Sequence, residues 1–418
     1  MEISHVSTAL IWTISLASIL CMLLRPRQIA EAYWICGGGS LLVLTRLISL
    51  SQAAHAVYEG LDVYLFLTGM MILAELAREE SVFDWVADVA AQHARNSPRR
   101  LFILIYLVGT VVTALLSNDA TAVVLTPAVL AVVRRVKVDP KPYLLACAFI
   151  ANAASFVFPI SNPANLVVFR QHMPPLGMWL RIFLLPSVAS ILLTFLCLRW
   201  ISRTKLRGEM KVEDQRVLLS AEGKLAVVGL AIAAVALISS SALGLSLGAP
   251  TCIAAVFAMA VVGWRDRNIP LRIARGVSWS ILPLVAGLFV VVEALQKAGL
   301  LNLGLTGLRA LAATTNWVAK GTAAFVVALL SNGMNNLPVG LMSGAAIRHA
   351  QETSVVAHGI LIGVDLGPNL SVTGSLATIL WLIALRRENV EITAWEFFKI
   401  GIIAMPLALI ASLLVLWK

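Results

Sequence analysis

Leu115-Leu116-Ser117-Asn118-Asp119-Ala120-Thr121, running on to Thr126-Pro127, decides how this chain folds, because its pattern returns later. The second copy is Leu329-Leu330-Ser331-Asn332-Gly333-Met334-Asn335-Asn336-Leu337-Pro338, so that Ser117 and Ser331 lie half of the 418-residue chain apart. Each copy ends an apolar run at the point where a membrane-spanning helix would continue with Leu and Val. Amides, hydroxyls and a carboxylate are costly in hydrocarbon unless protein or a water-filled cavity satisfies them. A polar knot at that depth therefore marks a functional site.

Composition sets the class. The chain is 59% hydrophobic and 13% charged, with a mean hydropathy of +0.89. A soluble domain of this size has no means of hiding that much apolar surface, so the expectation is a polytopic membrane protein. The net charge of +10 reflects Lys and Arg held in loops on one side of the bilayer and gives no reason to expect nucleic acid as a partner. Five single cysteines without a C-x-x-C spacing point to neither a disulfide framework nor a zinc site, and no cofactor is expected.

Apolar runs of spanning length fall at about 6–24, 30–50, 56–77 and 178–200, with an amphipathic interfacial stretch at 81–96. Residues 101–133 are too long for one straight span and are broken at Ser117-Asn118-Asp119. Arg99 and Arg100 precede the segment and Arg134, Arg135, Lys137 and Lys141 follow it, so both ends belong on the same side. That predicts a re-entrant hairpin. A broken element at 143–170 is interrupted by Pro159-Ile160-Ser161-Asn162-Pro163-Ala164-Asn165. The second half repeats the plan: spans at 225–243, 248–264 and 279–297, an interfacial stretch at 299–316, a hairpin at 318–349 with Ser331-Asn332 at its tip, a broken element at 357–385 and a last span at 397–416.

The predicted fold is an all-α polytopic membrane protein of two repeats, residues 1–200 and 225–418, joined by a basic cytoplasmic linker at 201–224. Each repeat has about five spanning helices and one re-entrant hairpin. Five is odd, so the second repeat enters the membrane inverted, with the N-terminus outside. Two further landmarks recur in order: Gly69 and Glu75 with Gly287 and Glu293, and Ser161-Asn162-Pro163 with Thr373-Gly374-Ser375. Inverted repeats with interrupted helices meeting near the midplane describe secondary transporters.

The knots supply free N–H groups at half-helix ends, amides and hydroxyls, suited to a small polyhydroxy solute, an oxyanion or a cation held by carbonyls. Candidate substrate-binding residues are Ser117, Asn118, Asn162, Asn165, Ser331, Asn332, Asn335, Asn336, Asn369, Thr373 and Ser375. Asp119 and Asp365 are the candidate proton-coupling residues, since buried carboxyls can exchange protons. Glu75 and Glu293, with Arg78 and Lys297 three and four residues on, are expected to form helix-end ion pairs. His55, His172, His349 and His358 are expected at the interface.

Leu116-Ser117-Asn118-Asp119 with Leu125-Thr126-Pro127, Met334-Asn335-Asn336-Leu337-Pro338 and Gly363-Val364-Asp365-Leu366-Gly367-Pro368-Asn369 resemble the arsenite/antimonite efflux permeases (the ArsB type). The similarity continues into Gly374-Ser375-Leu376-Ala377-Thr378-Ile379-Leu380-Trp381 and covers essentially the whole chain. It implies an inner-membrane protein that exports As(OH)3 or Sb(OH)3 in exchange for protons and confers arsenical resistance, with a soluble arsenical-pump ATPase as a partner. Position by position it points to Asn118, Asp119, Asn335, Asn336, Asp365 and Asn369. The chain departs from the family at Asn152, where other members carry an acid. Arsenous acid is mainly a neutral trihydroxy molecule near pH 7, which amides and hydroxyls can bind without a cationic clamp. Trivalent arsenic also favours thiolates, which makes Cys147 a weak candidate ligand. A sodium/proton antiporter of the same superfamily is the alternative, because the same carboxylates can bind a cation.

Overall fold

A computed structural model describes residues 5–170, 173–208, 210, 217–312, 314–350 and 355–416. The regular structure of the described residues is all helical, with no strand. The first series of helices is α1 (His5–Leu24), α2 (Glu31–Leu44), α3 (Leu50–Glu59), α4 (Leu61–Glu79), α5 (Val82–His93), α6 (Pro98–Leu115), α7 (Thr126–Arg135), α8 (Lys141–Ala153), α9 (Pro163–Phe169) and α10 (Leu176–Ile201). The second runs α11 (Ala221–Ala242), α12 (Gly248–Gly263), α13 (Ile269–Gly276), α14 (Ile281–Lys297), α15 (Leu300–Ala312), α16 (Asn316–Met334), α17 (Asn336–Ala350), α18 (Val355–Leu366), α19 (Leu376–Arg387) and α20 (Ala394–Val415).

The two series match element by element, and their contacts are exchanged. α2 packs along α14 of the other series, and α12 packs in the same way along α4. The repeated glycines explain the closeness. A Cβ on Gly69 would lie 2.6 Å from the Thr251 carbonyl carbon of α12, and one on Gly287 would lie 2.8 Å from Ile35 and 3.2 Å from the Cys36 nitrogen of α2. Small residues let helix backbones approach where lipid gives no hydrophobic drive for association. α10 and α20, each with an interior proline (Pro186 and Pro406), pack against each other, and Ser412 Oγ donates to the Pro186 carbonyl at 3.0 Å. Such an exchange is what a two-fold relation between inverted repeats produces.

Among the described residues, five helices (α1, α6, α10, α11 and α20) are long and apolar enough to cross a membrane, and two bent pairs, α3–α4 at 48° and α13–α14 at 43°, bring the number to seven. Three expectations need correction here. The predicted single span at 56–77 is the bent pair α3–α4, hinged at Gly60. The predicted spans at 30–50 and 248–264 form the helices Glu31–Leu44 and Gly248–Gly263, which are shorter than the five. The two stretches expected at the interface form α5 and α15. Within the basic linker, Lys211 and Arg216 lie outside the described residues, as does His172.

Asp88 of α5 fixes the base of the first hairpin. Its carboxylate, 1% exposed, takes Arg135 at the end of α7, Gln92 Nε2 at 2.6 Å and the Val217 N–H at 3.1 Å.

Candidate functional site

α6 stops at Leu115 because the ladder ends one residue on. Leu116 makes the last bond to the fourth residue back, Val112 O, at 2.9 Å, and Ser117 departs by donating to the same carbonyl at 3.2 Å. Ser117 then turns the chain, and its Oγ accepts the Ala120 N–H at 3.2 Å. Residues Ala120–Leu125 form a π-helical turn before α7. Pro127 has no N–H and its ring crowds the carbonyl four residues back, so the widened turn is the local response to it. Ser117 and Asn118 are buried, and Asn118 Oδ1 accepts the Asp119 N–H at 2.9 Å. The Asp119 carboxylate has no hydrogen-bond or ion-pair partner among the described residues.

In the second hairpin the turn falls at Asn335 rather than at the expected Ser331-Asn332. α16 continues through Met334, and the chain reverses at Asn335, whose backbone sits at φ 74°, ψ 152°. Ser331 Oγ donates back to Val327 O at 2.9 Å. Asn332 works as a clamp on the loop after α18: its Nδ2 donates to Ala328 O (2.7 Å) and Gly367 O (2.9 Å), Ser371 Oγ donates to its Oδ1 (2.7 Å), and Thr373 Oγ1 donates to its carbonyl (2.9 Å). The structural counterpart of Ser117 is therefore Asn335, at the same spacing that relates Gly69 to Gly287. The Asn336 N–H donates to Gly374 O at 2.9 Å, and Asn335 Oδ1 accepts from Leu337 N at 3.2 Å. A positive φ with this ψ is nearly confined to glycine and costs about 1–3 kcal/mol. Asn335→Gly is expected to relieve about that amount and raise unfolding stability, while Asn335→Val, strained at least as much and without the Oδ1 that accepts Leu337 N, is expected to lower it. Equal stability of the two variants in a micelle unfolding titration would contradict this.

The two broken elements meet in a buried polar core. Asn162 caps α9, its Oδ1 accepting Ala164 N at 3.0 Å, and its Nδ2 donates to Asp365 Oδ1 at 2.8 Å. Asn152 Nδ2 donates to Asn369 Oδ1 at 3.0 Å, and Asn369 Nδ2 donates to Phe149 O at 3.0 Å. Asn165 Nδ2 donates to Ser155 O at 2.9 Å, and Ser375 caps α19 by accepting Ala377 N at 3.1 Å. Asp365 is fully buried. Its Oδ2, Asn152 Oδ1 and Asn165 Oδ1 have no partner among the described residues. Asn152 and Asp365 hold equivalent places before the breaks, since each precedes its cap, Asn162 or Ser375, by the same stretch of chain.

A cavity of about 250 Å3 leads to the first tip. Ser117, Asp119 and Pro163 line its inner part, and Glu75, Arg78 and Arg387 line it toward the helix ends. Gly276 leaves room for Glu75, whose carboxylate a Cβ there would strike. Glu75 pairs with Arg78 as expected, at 2.5 Å, and Arg78 also holds Glu79 at 2.5 Å. Arg272 of α13 ties Glu79 (2.8 Å) and Glu80 (3.4 Å). Burial pushes the Glu80 carboxyl above its usual range, against the pull of Arg272. Arg387 and the loop residues around Ser278 were missed from the sequence, and only the fold brings them to the cavity.

At the opposite ends of α4 and α14 lies a second cavity, of about 450 Å3, lined by His55, Glu59, Arg170, Glu293, Leu341 and Arg348 among others. It is the repeat counterpart of the first, with Glu293 in the place of Glu75, but it stops at Leu341 and does not reach the Asn335 turn. Asn335 lines a small void of about 10 Å3 together with Glu31 and Leu337. Arg170 bridges to Glu59 at 3.0 Å and lies 4.9 Å over the Phe289 ring. The expected Glu293–Lys297 pair is not formed: Lys297 Nζ reaches Leu47 O at 3.1 Å instead. His358 is likewise not interfacial but buried on α18, against Phe169 and Phe183. Cys147 is buried on α8 and lines neither cavity.

Paired hairpin tips, crossed broken helices and a polar cavity at the first tip are the build of a membrane transporter. Residues 10–366 match the family described as citrate transporter (CitMHS), and the chain belongs to that family. It is 29% identical over 346 residues to the arsenical pump membrane protein of Escherichia coli, covering 80% of this chain and 81% of that one. It is 27% identical over 410 residues to an uncharacterized transporter of Mycobacterium tuberculosis, covering 91% of each. Among solved structures it resembles the YdaH transporter of Alcanivorax borkumensis, with a TM-score of 0.56 at 15% identity over 87% of this chain and 86% of that one.

Proposed function

We propose that this multi-pass membrane protein is a secondary active transporter that exports arsenite, and antimonite, from the cytoplasm in exchange for protons. The observation that carries the reading is the cavity ending at Ser117 and the unpaired Asp119, with the buried Asn162–Asp365 pair behind Pro163. Hydroxyl, amide and free N–H groups suit a neutral trihydroxy solute. The cavity's two arginines sit at its outer end, and Arg78 is already held by two glutamates. A citrate-like polyanion would meet the Asp119 carboxylate at the cavity floor without a counter-cation. That disfavours carrying the family's descriptive name over to the cargo. The similarity to the Escherichia coli arsenical pump membrane protein supports the same cargo.

In this reading residues 1–200 and 225–418 are inverted repeats in the inner membrane, with the N-terminus outside and the 201–224 linker cytoplasmic. The cavity at Asp119 then opens to the cytoplasm. Substrate contacts are assigned to Ser117, Asn118, Asn162, Asn335, Asn336 and Asn369, and proton exchange to Asp119 and Asp365. An arsenical-pump ATPase is the proposed soluble partner, checked by co-purification. The deciding experiment is uptake of radiolabelled arsenite into everted membrane vesicles with an imposed interior-acid gradient. Uptake that collapses with a protonophore and ignores sodium is the expected result.

The acceptor oxygens left unpartnered at Asp365, Asn152 and Asn165 favour one alternative, a sodium/proton antiporter, since acceptors without donors suit a cation. Absent arsenite uptake with sodium-triggered proton release would establish that instead.

The Arg170–Glu59 bridge closes the opposite cavity in this scheme. Glu59→Gln is expected to remove about 1.5–3 kcal/mol of charge-assisted hydrogen bonding. Thiol labelling of Val292→Cys, in the lining of that cavity, should rise about 10- to 100-fold from that side. Unchanged labelling would exclude the bridge as a gate.

A further inference from the structure

At the end of the bundle where α10 finishes, Arg99, Arg199, Arg203 and Arg207 line a cavity of about 340 Å3 together with Leu196, Trp200 and Leu206. Arg99 comes from the first turn of α6, Arg199 from the last turn of α10, and the other two from the turns that follow. None of the four guanidinium groups has an ion-pair or side-chain hydrogen-bond partner among the described residues. The nearby acid Asp139 is taken by Lys205 at 3.2 Å. Arg203 lies 5.4 Å over the Trp200 ring and Arg199 5.9 Å over Phe195.

Four arginines around one concavity repel one another unless an anion neutralises them, and their planar forks match phosphate oxygens. The rest of the surroundings indicate which anion. Leu192, Leu196 and Trp200, one helical turn apart on α10, are each about half exposed, so an apolar stripe leads along the helix into the basic cavity. Exposed Trp at a helix end marks the membrane–water interface. Loop arginines placed only to set topology need no concavity and no apolar approach. We propose that this cavity binds the phosphodiester headgroup of an anionic phospholipid, with phosphate oxygens among the four guanidinium groups and an acyl chain along Leu192 and Leu196.

The test uses the full-length protein, delipidated and then exposed to vesicles of phosphatidylglycerol, cardiolipin or phosphatidylcholine, with retained lipid read by native mass spectrometry. The wild type should hold anionic lipid at least about tenfold in preference to phosphatidylcholine, and Arg199→Gln/Arg203→Gln should lose that preference. Lys205→Gln/Lys224→Gln removes as much charge from the same region outside the cavity and should keep it. Equal retention by both double variants would overturn the proposal. So would inorganic phosphate displacing the lipid, which would make this a site for free anions, or an acidic polypeptide binding where lipid does not.

Discussion

Asp365→Asn is expected to abolish proton-driven transport, by at least about 100-fold, the scale of a lost proton-transfer group, while the protein still folds and inserts. The substitution keeps shape and keeps an acceptor for Asn162 Nδ2, which now bonds Asp365 Oδ1 at 2.8 Å. What it removes is a titratable oxygen, Oδ2, which has no partner among the described residues in a fully buried position. Binding of a proton there reverses the character of the group from acceptor to donor. Oδ1 keeps its bond from Asn162, the cap of α9, so the new donor is added beside an intact contact, next to Pro163 of the cavity lining. Vesicles driven by a pH gradient would lose uptake, whereas gradient-independent exchange of labelled for unlabelled substrate would persist. A variant that transports at the wild-type rate under the gradient would remove Asp365 from proton coupling.

Asp88→Ala is expected to cost about 3–5 kcal/mol of stability, because a buried carboxylate with three donors is lost and Arg135 is left without its partner. The side chain ties α5, the end of α7 and the approach to α11, so its loss should loosen the base of the hairpin rather than its tip. Unfolding in mixed micelles measures the loss. A change below about 1 kcal/mol would mean that water replaces the aspartate. Asp88→Asn, which can still accept from the Val217 N–H, should recover part of it.

The repeat was legible because helix packing wrote it into the sequence: Gly69 and Gly287 recur where α4 and α14 each meet a helix of the other half. The second turn was not, because two similar motifs compete for it. Ser331-Asn332 copies Ser117-Asn118 in letters, yet a Ser and an Asn can both bond inside a continuing helix, as these do. The reversal needed a residue able to adopt a positive φ, and Asn335 provides it. The π-helical turn was equally hidden, since nothing but Pro127 announces it. The spacing of Glu75 and Arg78 predicts the ion pair that forms, but the cavity beside it depends on Gly276 from a helix in the other half of the chain. Arg387 and Ser278 reach the cavity by the same long-range folding, which local patterns do not carry.

The unequal depth of the two cavities has an electrical consequence. Water-filled ends conduct, so a membrane potential does not fall evenly over the thickness of the bilayer. It concentrates across the protein between the inner ends of the two cavities, Asp119 and Pro163 on one side and Leu341 on the other. A unit charge crossing that septum experiences nearly the whole potential, about 2.3 kcal/mol per 100 mV. The packed protein between the two floors is thus the insulator of the device, and a water path opened through it would behave as a short circuit.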